Sequence, residues 1–430
     1  MTRSTLGQWL QQLESLHPTE IELGLDRVRA VAERLELLPW ATPTITIAGT
    51  NGKGSVAASC ETALTAMEVG VGVYTSPHFL AFNERIRVDG QAVPDAEIVA
   101  AFEQIDAARQ AVSLTYFEFA TLAALLIFRD RGLAIVVLEV GLGGRLDAVN
   151  IIDPTVAVIT HIDLDHQAWL GDTRELIGAE KAGILRPDRP AVIADPDPPE
   201  SLTPQGGASA YYRLGQEWSA RREGSGHQLQ LQDAAGVPVA VTLEGPLALQ
   251  PENVGAALQA LLLCGLAVAT SPVRDAVAGI SLTGRLQCES LAGVDVVLDV
   301  AHNPAAVHKL HEYLVSNPCQ GRTIALFCAM SDKDLHGMIR ACSGAVDAWF
   351  LADLPDVPRA AAASDLAAQV HEAGGHMISV SKNIRQAWRR AFTLLGDGDR
   401  LVVFGSFFTV AGALPLLHKD SARLADRETA

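Results

Sequence analysis

The stretch TITIAGTNGKGS, residues 44–55, predicts a buried β-strand that runs directly into a glycine-rich loop. Its first half is apolar and β-branched, and its second half contains Gly49, Gly52 and Gly54 beside Lys53. Helix-prone residues, VAASCETAL, follow at once. Glycine permits positive φ and leaves no Cβ in the way of a close neighbour. Because the N–H groups at the start of a helix attract an anion, the stretch predicts a loop that holds a bulky negative group.

The loop resembles the phosphate-binding sequence GxxxxGK[ST] without matching it. Here Gly54 separates Lys53 from Ser55, and Gly49 lies closer to the lysine than in that pattern. We expect phosphate binding at this loop, with Lys53 as the local positive charge.

The length and composition predict a folded protein of two domains. The chain has 430 residues, of which 49% are hydrophobic and 19% are charged, and it is too long for one ordinary core. Its formal net charge of −17 argues against a broad surface for nucleic acid or anionic membrane, because both reward clustered Lys and Arg. An anionic substrate would then need local cations or metal ions, which fits Lys53.

The cysteine pattern and the N-terminus predict a cytoplasmic protein. Six cysteines are scattered without a CxxC pair or zinc spacing, which indicates a reducing compartment. The N-terminal run MTRSTLGQWLQQLESLHP lacks the apolar core of a secretory signal, and no apolar run is long enough to span a bilayer. We expect small-molecule partners, no nucleic acid, no membrane and a monomer.

Strand-like runs alternate with helical patterns along the chain, which predicts an α/β fold with parallel sheets covered on both faces. In the first half these runs are TITIAG, VGVYTS, AIVVLEVG, TVAVITHI and PAVIAD. After residue 210 a weak alternation indicates an antiparallel excursion. From about residue 284 the α/β pattern restarts with VDVVLDVAHNP, RTIALFCAMSDKD, VDAWFLADLP, HMISVSKNI and RLVVFGSFFTVAG. We place the boundary in GISLTGRLQ, which gives domains at 1–282 and 283–430.

An acidic residue at the end of a predicted strand marks a second candidate site. Glu139 closes the apolar run IVVLE and is followed by the glycines of GLGGRLDAVN. Ligands of parallel α/β sheets bind outside the carboxyl ends of the strands, so Glu139 should face the glycine loop. There it could hold Mg²⁺ against the phosphates of ATP. The alternative is a strand-end carboxylate that caps a helix.

Three other stretches carry polar residues whose roles the spacing does not settle. Ser76, in YTSPHFLAFNERIRVDG, fits an ordinary turn residue. Residues 161–166, in VITHIDLDHQAWLG, include two histidines and two aspartates just past a strand, and spacing does not show which of them binds a ligand. From spacing alone Lys181, in GAEKAGILRP, is interpreted as a surface lysine.

The second half contains a similar strand end. Asp299 follows the run VVL, with His302 and Asn303 next and Pro304 at the start of a helix. An aspartate at such a strand end commonly binds a ribose hydroxyl. Arg285, at the expected domain boundary, could reach phosphates.

Eight stretches together resemble, in order, the signatures of the folylpolyglutamate synthase family, which belongs with the Mur ligases. They are AGTNGKGS, YTSPHFLAFNERIRVDG, LTYFEFATL, LEVGLGGRLDAVN, DLDHQAWLG, IGAEKAGILR, LDVAHNP and FGSFFTVAG. The match is closer to the bacterial members that are also dihydrofolate synthases, and it covers nearly the whole chain. The resemblance implies a phosphate-loop ATPase-like parallel-sheet domain at the N-terminus and a smaller Rossmann-like α/β domain at the C-terminus.

The resemblance implies roles for individual residues at a nucleotide site and at two Mg²⁺ sites. The implied ATP-binding residues are Thr50, Asn51, Gly52, Lys53, Gly54, Ser55, Asn253, Arg285, Asp299 and His302. The implied metal ligands are Ser55, Ser76, Glu139, His166 and Lys181. Lys181 would be carbamylated, which replaces a cation that would repel the metal with an anion that can face it. The implied catalytic residues are Lys53, Lys181 and His166.

The resemblance also implies a pocket for the pterin-bearing substrate. Three segments would line it: Ile21, Glu22 and Leu23; Thr115, Tyr116, Phe117 and Glu118; and Leu146, Asp147 and Ala148. The departures from the family pattern include one near the C-terminus. Phe408 stands in GSFFTVA where many relatives have His, so we assign no role to it.

The implied activity is that of an ATP-dependent carboxylate–amine ligase. It would add L-glutamate to dihydropteroate, and to the terminal glutamate of reduced folates, through an acyl phosphate. One alternative is chain extension of folates only. A Mur ligase acting on a UDP-linked peptide is disfavoured by the short segment before TITIAG. A phosphate-loop ATPase or small-molecule kinase would leave LDVAHNP and GSFFTVA unexplained, and a non-catalytic nucleotide-binding module is a further alternative.

Overall fold

A computed structural model describes residues 5–17, 19, 21–202 and 210–428. The chain forms two compact units, Met1–Ile280 and Ser281–Ala430. Among the residues described, no helix is both long and apolar enough to cross a membrane.

The first unit is built on a mostly parallel sheet whose strand order, over the described residues, is β4-β3-β2-β5-β1-β6-β7-β8. The strands are β1 (Thr44–Ala48), β2 (Val71–Tyr74), β3 (Ile86–Val88), β4 (Gln91–Ala92), β5 (Ile135–Glu139), β6 (Val156–Ile159), β7 (Ala191–Ile193) and β8 (Tyr211–Arg213). Strands β2, β5, β1, β6, β7 and β8 run parallel, and β3 and β4 form an antiparallel edge. Every residue of β1 and β5 is buried, which explains their continuous apolar sequences.

Helices cover this sheet and supply most of the hydrophobic core of the unit. They are α1 (Leu6–Leu16), α2 (Asp26–Arg34), α3 (Lys53–Ala66), α4 (Asp95–Arg109), α5 (Tyr116–Arg131), α6 (Gln167–Leu170), α7 (Arg174–Ala182), α8 (Pro251–Leu263) and α9 (Ser271–Ala278). Helices α3 and α5 are buried over most of their length, and each buries polar as well as apolar side chains.

A small antiparallel sheet follows β8, as the weak alternation in the sequence predicts. It consists of β9 (Ser219–Glu223), β10 (Gly226–Gln232) and β11 (Pro238–Leu243), with β10 in the middle. Its inward-facing residues, among them Leu229, Leu231 and Val241, are buried. Helix α8 contacts β9 and β10.

The second unit has a sheet of strand order β12-β13-β17-β14-β15-β16. Its elements are β12 (Gln287–Leu291), β13 (Val294–Leu298), α10 (Pro304–Ser316), β14 (Thr323–Phe327), α11 (Leu335–Cys342), β15 (Ala348–Ala352), α12 (Ala363–Glu372), β16 (Ile378–Ser381), α13 (Ile384–Phe392), β17 (Arg400–Phe404) and α14 (Phe407–Glu428). All neighbouring pairs are parallel except β12 with β13. Each apolar run singled out in the sequence is a strand, so the predicted α/β class is confirmed.

Candidate active site

The loop at the end of β1 is fastened to the segment that follows β6. The N–H of Thr50 donates to the carbonyl oxygen of His161 at 2.8 Å. The hydroxyl of Thr50 accepts from the N–H of Asp163 at 3.0 Å and lies 3.1 Å from its carbonyl oxygen. Because β1 and β6 are neighbours in the sheet, their carboxyl ends bring residues 161–166 beside the glycine loop.

Two of the loop glycines are required by close neighbours. Gly49 has φ 151°, and a Cβ on it would lie 1.7 Å from Oγ1 of Thr160. Gly52 has φ 96°, and a Cβ there would lie 2.6 Å from Oδ1 of Asn253. The loop is therefore closely packed on two sides. Thr160 contacts it at Gly49, and Asn253, from the start of α8, contacts it at Gly52.

Helix α3 begins at Lys53, immediately after Gly52 in the left-handed conformation. The first N–H groups of an α-helix lack intrahelical acceptors and carry partial positive charge, so they can bind an anion. The Nζ of Lys53 turns back over the loop and donates to the carbonyl oxygens of Gly49 and Thr50, at 3.0 and 3.3 Å. A positive group and a helix start thus meet at one place.

Glu139 ends the neighbouring strand β5, with its carboxylate beside the same loop. Its Oε2 accepts from the N–H of Ser76 at 3.3 Å and lies 3.9 Å from the position that a Cβ on Gly54 would take. Glu139 and Ser55 are each 5% exposed. The structure therefore brings Ser55, Ser76 and Glu139 to the carboxyl ends of three adjacent strands.

Lys181 is buried, so the interpretation as a surface lysine, made from spacing alone, is wrong. Lys181 is 4% exposed, and its Nζ donates to the carbonyl oxygen of Gly49 at 2.9 Å. The physical reason is close packing of the loop after β5 on α7. A Cβ on Gly144 would lie 2.8 Å from the carbonyl oxygen of Glu180 and 3.0 Å from Cα of Lys181.

Burial, together with the nearby charge of Lys53, lowers the pKa of the Lys181 amine to about 7. Asp165 and Asp147 act in the opposite direction. An amine of which a substantial share is neutral near pH 7 can act as a nucleophile, whereas an ordinary lysine is protonated there. Lys181 therefore has the environment of a reactive amine.

His166 lies at the start of α6 with φ 51°, and its N–H donates to Oδ1 of Asp165 at 2.8 Å. Its Nε2 is 3.9 Å from Oδ2 of the same carboxylate. Asp165 is 8% exposed, so it is the buried carboxylate of the group that spacing left undecided.

The expected Mg²⁺ site can be tested by asking whether its residues carry the ligand atoms that Mg²⁺ prefers. Within the described ranges, no three His, Cys, Asp or Glu side chains are close enough to hold a metal ion. The buried carboxylate of Glu139, the hydroxyl-bearing Ser55 and Ser76 beside it, and a carbamate on Lys181 would supply the oxygen ligands that Mg²⁺ prefers. The residues fit magnesium, on the condition that Lys181 is modified.

The three segments expected to bind a pterin are connected to one another. The N–H of Gly24 donates to the carbonyl oxygen of Leu146 at 3.3 Å. Arg27 pairs with Oε1 of Glu22 and donates to Oε1 of Glu118 at 3.1 Å. Sequence reasoning missed Arg27, whose position three residues after Gly24 gives no signal of its partners.

In this region the Phe117 ring is closely packed, and the Asp147 carboxylate is buried and hydrogen-bonded. A Cβ on Gly141 would lie 2.6 Å from the Phe117 ring, which also contacts Tyr74 at a centroid distance of 5.8 Å. The Asp147 carboxylate accepts from the N–H groups of Leu142 and Val149, at 2.8 and 3.1 Å. Burial nevertheless raises the pKa of Asp147 to about 6, because these hydrogen bonds offset only part of the lost hydration.

In the second unit, the expected nucleotide residues lie near the carboxyl end of β13. Asp299 accepts from the N–H groups of Leu286 and Ala301, both at 2.8 Å, and burial raises its pKa despite the charge of Arg285. The Arg285 guanidinium lies 5.2 Å from the centroid of the Phe407 ring.

The His302 ring completes this group. Its Nδ1 lies 2.8 Å from the carbonyl oxygen of Val300, and its ring is 6.2 Å from that of Phe407. Arg285, Asp299 and His302 are therefore grouped around one strand end and one aromatic ring.

Two family models match the chain. The Mur ligase middle domain matches residues 47–203, and the Mur ligase glutamate ligase domain matches residues 284–407. The first range begins within β1 and contains the glycine loop, Glu139 and Lys181. The second begins just before Arg285.

Three relatives are similar over nearly their full length. The dihydrofolate synthase/folylpolyglutamate synthase of Escherichia coli (strain K12) is 42% identical over 96% of each chain. The structure of E. coli FolC in complex with DHPP and ADP is 40% identical, with a TM-score of 0.90 over 98% of this chain and 99% of that one. A bifunctional folylpolyglutamate synthase/dihydrofolate synthase with Mn, AMPPNP and L-glutamate bound is 41% identical, with a TM-score of 0.88 over 96% and 98%. The family resemblance read from the sequence is confirmed: the chain belongs to the dihydrofolate synthase/folylpolyglutamate synthase family of Mur-type, ATP-dependent ligases.

Proposed function

We propose that this chain joins L-glutamate to two kinds of acceptor, dihydropteroate and the terminal glutamate of reduced folates. The reaction consumes ATP and forms an amide bond. The observation that carries this proposal is the site at the end of β1, where Lys53, Glu139 and buried Lys181 surround one glycine loop, in a chain 42% identical to a bifunctional relative.

The glycine loop would hold the phosphates of ATP. The N–H groups at the start of α3 and the Nζ of Lys53 present positive charge there. Lys53 donates to two backbone carbonyls in this structure and would turn to the transferring phosphoryl group when nucleotide binds. Asn253 would contact the nucleotide beside the loop. Arg285, Asp299 and His302 are the residues of the second unit that we propose for nucleotide binding.

Ser55, Ser76, Glu139, His166 and carbamylated Lys181 would hold Mg²⁺. The ion would neutralise the negative charge that builds up on the phosphates. Carbamylation consumes carbon dioxide: the neutral amine of Lys181 attacks the carbon, an N–C bond forms, and the amine proton is lost. A pKa of about 7 suits this step, because a substantial share of the amine is unprotonated at neutral pH.

Amide formation needs an activated carboxylate, because a free carboxylate is a poor electrophile. Its oxygen would attack the γ-phosphorus of ATP to give an acyl phosphate, with Lys53 stabilising the transferring group. The amine of glutamate then attacks the acyl carbon, and phosphate leaves from a tetrahedral intermediate.

The acceptor would lie against residues 21–23, 115–118 and 146–148. Phe117 offers an aromatic face for a flat ring, and it is held between Gly141 and Tyr74. Dihydropteroate and a reduced folate share the pterin–aminobenzoate unit, so one pocket can serve both reactions.

The partners of the chain would be small molecules, and it would act as a monomer in the cytoplasm. All six cysteines are thiols, and Cys60, Cys328 and Cys342 are buried in apolar surroundings, as expected in a reducing compartment.

Product analysis tests the proposal. The protein is incubated with ATP, glutamate and either dihydropteroate or a tetrahydrofolate, and the products are identified by mass spectrometry. Glutamate incorporated into both acceptors supports the proposal. Incorporation into the folate alone restricts the activity to chain extension. ATP consumption without glutamate incorporation would favour the phosphate-loop ATPase or kinase.

A further inference from the structure

The small sheet β9–β11 contributes no residue to the chemistry proposed above, yet it is joined to the helix that carries Asn253. Asn253 is the third residue of α8, and its Oδ1 lies 2.6 Å from the position of a Cβ on Gly52. Residues farther along the same helix contact the small sheet at two points.

The first point is the buried amide of Gln259. The residue is 0% exposed, its Oε1 accepts from the N–H of Gln232 at 3.0 Å, and its Nε2 donates to the carbonyl oxygen of Gln232 at 2.6 Å. One side chain thus satisfies both backbone groups of a single residue at the end of β10. A buried amide is costly to leave unpaired, so this contact favours one position of the helix relative to the strand.

The geometry of β10 explains why these backbone groups are available. The N–H of Asp233 donates to the carbonyl oxygen of Val237, the residue just before β11, at 3.0 Å. Backbone groups of successive residues point to opposite sides of a strand, so those of Gln232 point toward the β9 side. The pairing with β9 ends at Gln230, opposite Ser219. The Gln259 amide therefore takes the place that a longer β9 would occupy opposite Gln232.

The second point is a contact between Gly255 and Trp218. Trp218 is 1% exposed, and its Nε1–H donates to the carbonyl oxygen of Tyr212 at 2.9 Å, which fixes the ring. A Cβ on Gly255 would lie 2.7 Å from Cζ3 of that ring. The first turns of α8 therefore lie against Trp218 with no room for a methyl group.

We propose that Gln259, Gly255 and Trp218 are positioning residues, which set the approach of Asn253 to Gly52 and thereby the affinity for ATP. The small sheet then supports the nucleotide loop, because it fixes the position of α8, and α8 carries Asn253 against Gly52. This inference rests on the proposed role of Asn253 in nucleotide binding.

The experiment compares Gly255→Ala with the double variant Gly255→Ala/Trp218→Phe in the full-length protein. Alanine is a better helix former than glycine, so a defect in Gly255→Ala comes from the clash and not from a weaker helix. We expect the KM for ATP to rise roughly fivefold or more, with the KM for dihydropteroate unchanged. The smaller ring of the double variant should restore most of the affinity for ATP.

Thr242→Val is the matched control, because it removes a 2.7 Å hydrogen bond to Gln228 on the exposed face of the same sheet. It should leave both KM values unchanged. Equal rises in both KM values of Gly255→Ala, or no recovery in the double variant, would overturn the inference. Asn253→Ala distinguishes a failure of the proposed role of Asn253 in nucleotide binding from a failure of the positioning inference. If it leaves the KM for ATP unchanged, the proposed role of Asn253 is wrong. If it raises that KM and Gly255→Ala does not, only the positioning inference fails.

Discussion

Lys53 and Lys181 donate from their Nζ atoms to the same acceptor, the carbonyl oxygen of Gly49, at 3.0 and 2.9 Å. Two ammonium groups so placed repel each other, and Lys181 is in addition shielded from water. Burial and this repulsion together lower the pKa of Lys181. In the proposed reaction Lys53 would face the phosphates, and Lys181, with its lowered pKa, would be the lysine that is carbamylated.

Replacing Lys53 with alanine should nearly abolish turnover and leave the fold intact. The contact of Lys53 with the transferring phosphoryl group would be strongest in the transition state, so kcat should fall about 100-fold or more. Steady-state kinetics with circular dichroism check both parts. Lys309→Ala, at an exposed position of α10, is the control. Unchanged kcat in Lys53→Ala would exclude the assigned role of the loop.

Replacing Lys181 with alanine should abolish activity, because the metal site would lose an anionic ligand. Short-chain carboxylates added to Lys181→Ala should restore part of the activity by occupying the vacated position. The rescue is measured as rate against carboxylate concentration, with Lys53→Ala as the variant that carboxylates should not rescue. A high-resolution map of the nucleotide and magnesium complex that shows an unmodified ammonium at Lys181 would refute the carbamate.

The unmodified protein should become more stable as the pH rises above about 7. The pKa of Lys181 is about 7 in the folded chain and near 10.5 in the unfolded chain, so the unfolded chain binds more protons between these values. The free energy of unfolding then increases with pH across this window. Urea unfolding in carbon dioxide-free buffer, without nucleotide or metal, measures it.

The matched variant for this measurement is Lys181→Met, which keeps the length of the side chain and removes its titration. Its free energy of unfolding should lack the increase between about pH 7 and 10 that the wild type shows. Parallel curves for the two proteins would contradict a lowered pKa at Lys181.

Phe117→Ala should raise the KM for dihydropteroate, and the synthase reaction should suffer more than chain extension. An offset aromatic contact contributes about 1 kcal/mol beyond burial. Dihydropteroate has no glutamate of its own, so its binding should depend more on this ring than that of a longer folate. Gly141→Ala should have the same direction of effect, because its Cβ would displace the Phe117 ring. Equal losses in both reactions would indicate that the two acceptors bind in one mode.

The sequence predicts the strands well because buried parallel strands are continuous apolar runs, as in TITIA and IVVLE. It also indicates Glu139 and Asp299, since each directly follows such a run. Lys181 could not be placed from spacing, because its burial results from the packing of Gly144 on α7, far away in sequence. The connection from Gln259 to Gln232 is equally non-local, so periodicity carries no sign of it.

The measurement that tests the central claim most directly is the transfer of oxygen from acceptor to phosphate. Dihydropteroate labelled with ¹⁸O in its carboxylate is incubated with ATP, glutamate and the protein, and the released phosphate is analysed by mass spectrometry. An acyl phosphate intermediate predicts one ¹⁸O in each phosphate released, together with dihydrofolate as product. Unlabelled phosphate, or ATP hydrolysis without dihydrofolate, would contradict the account of this chain as a glutamate ligase that activates dihydropteroate.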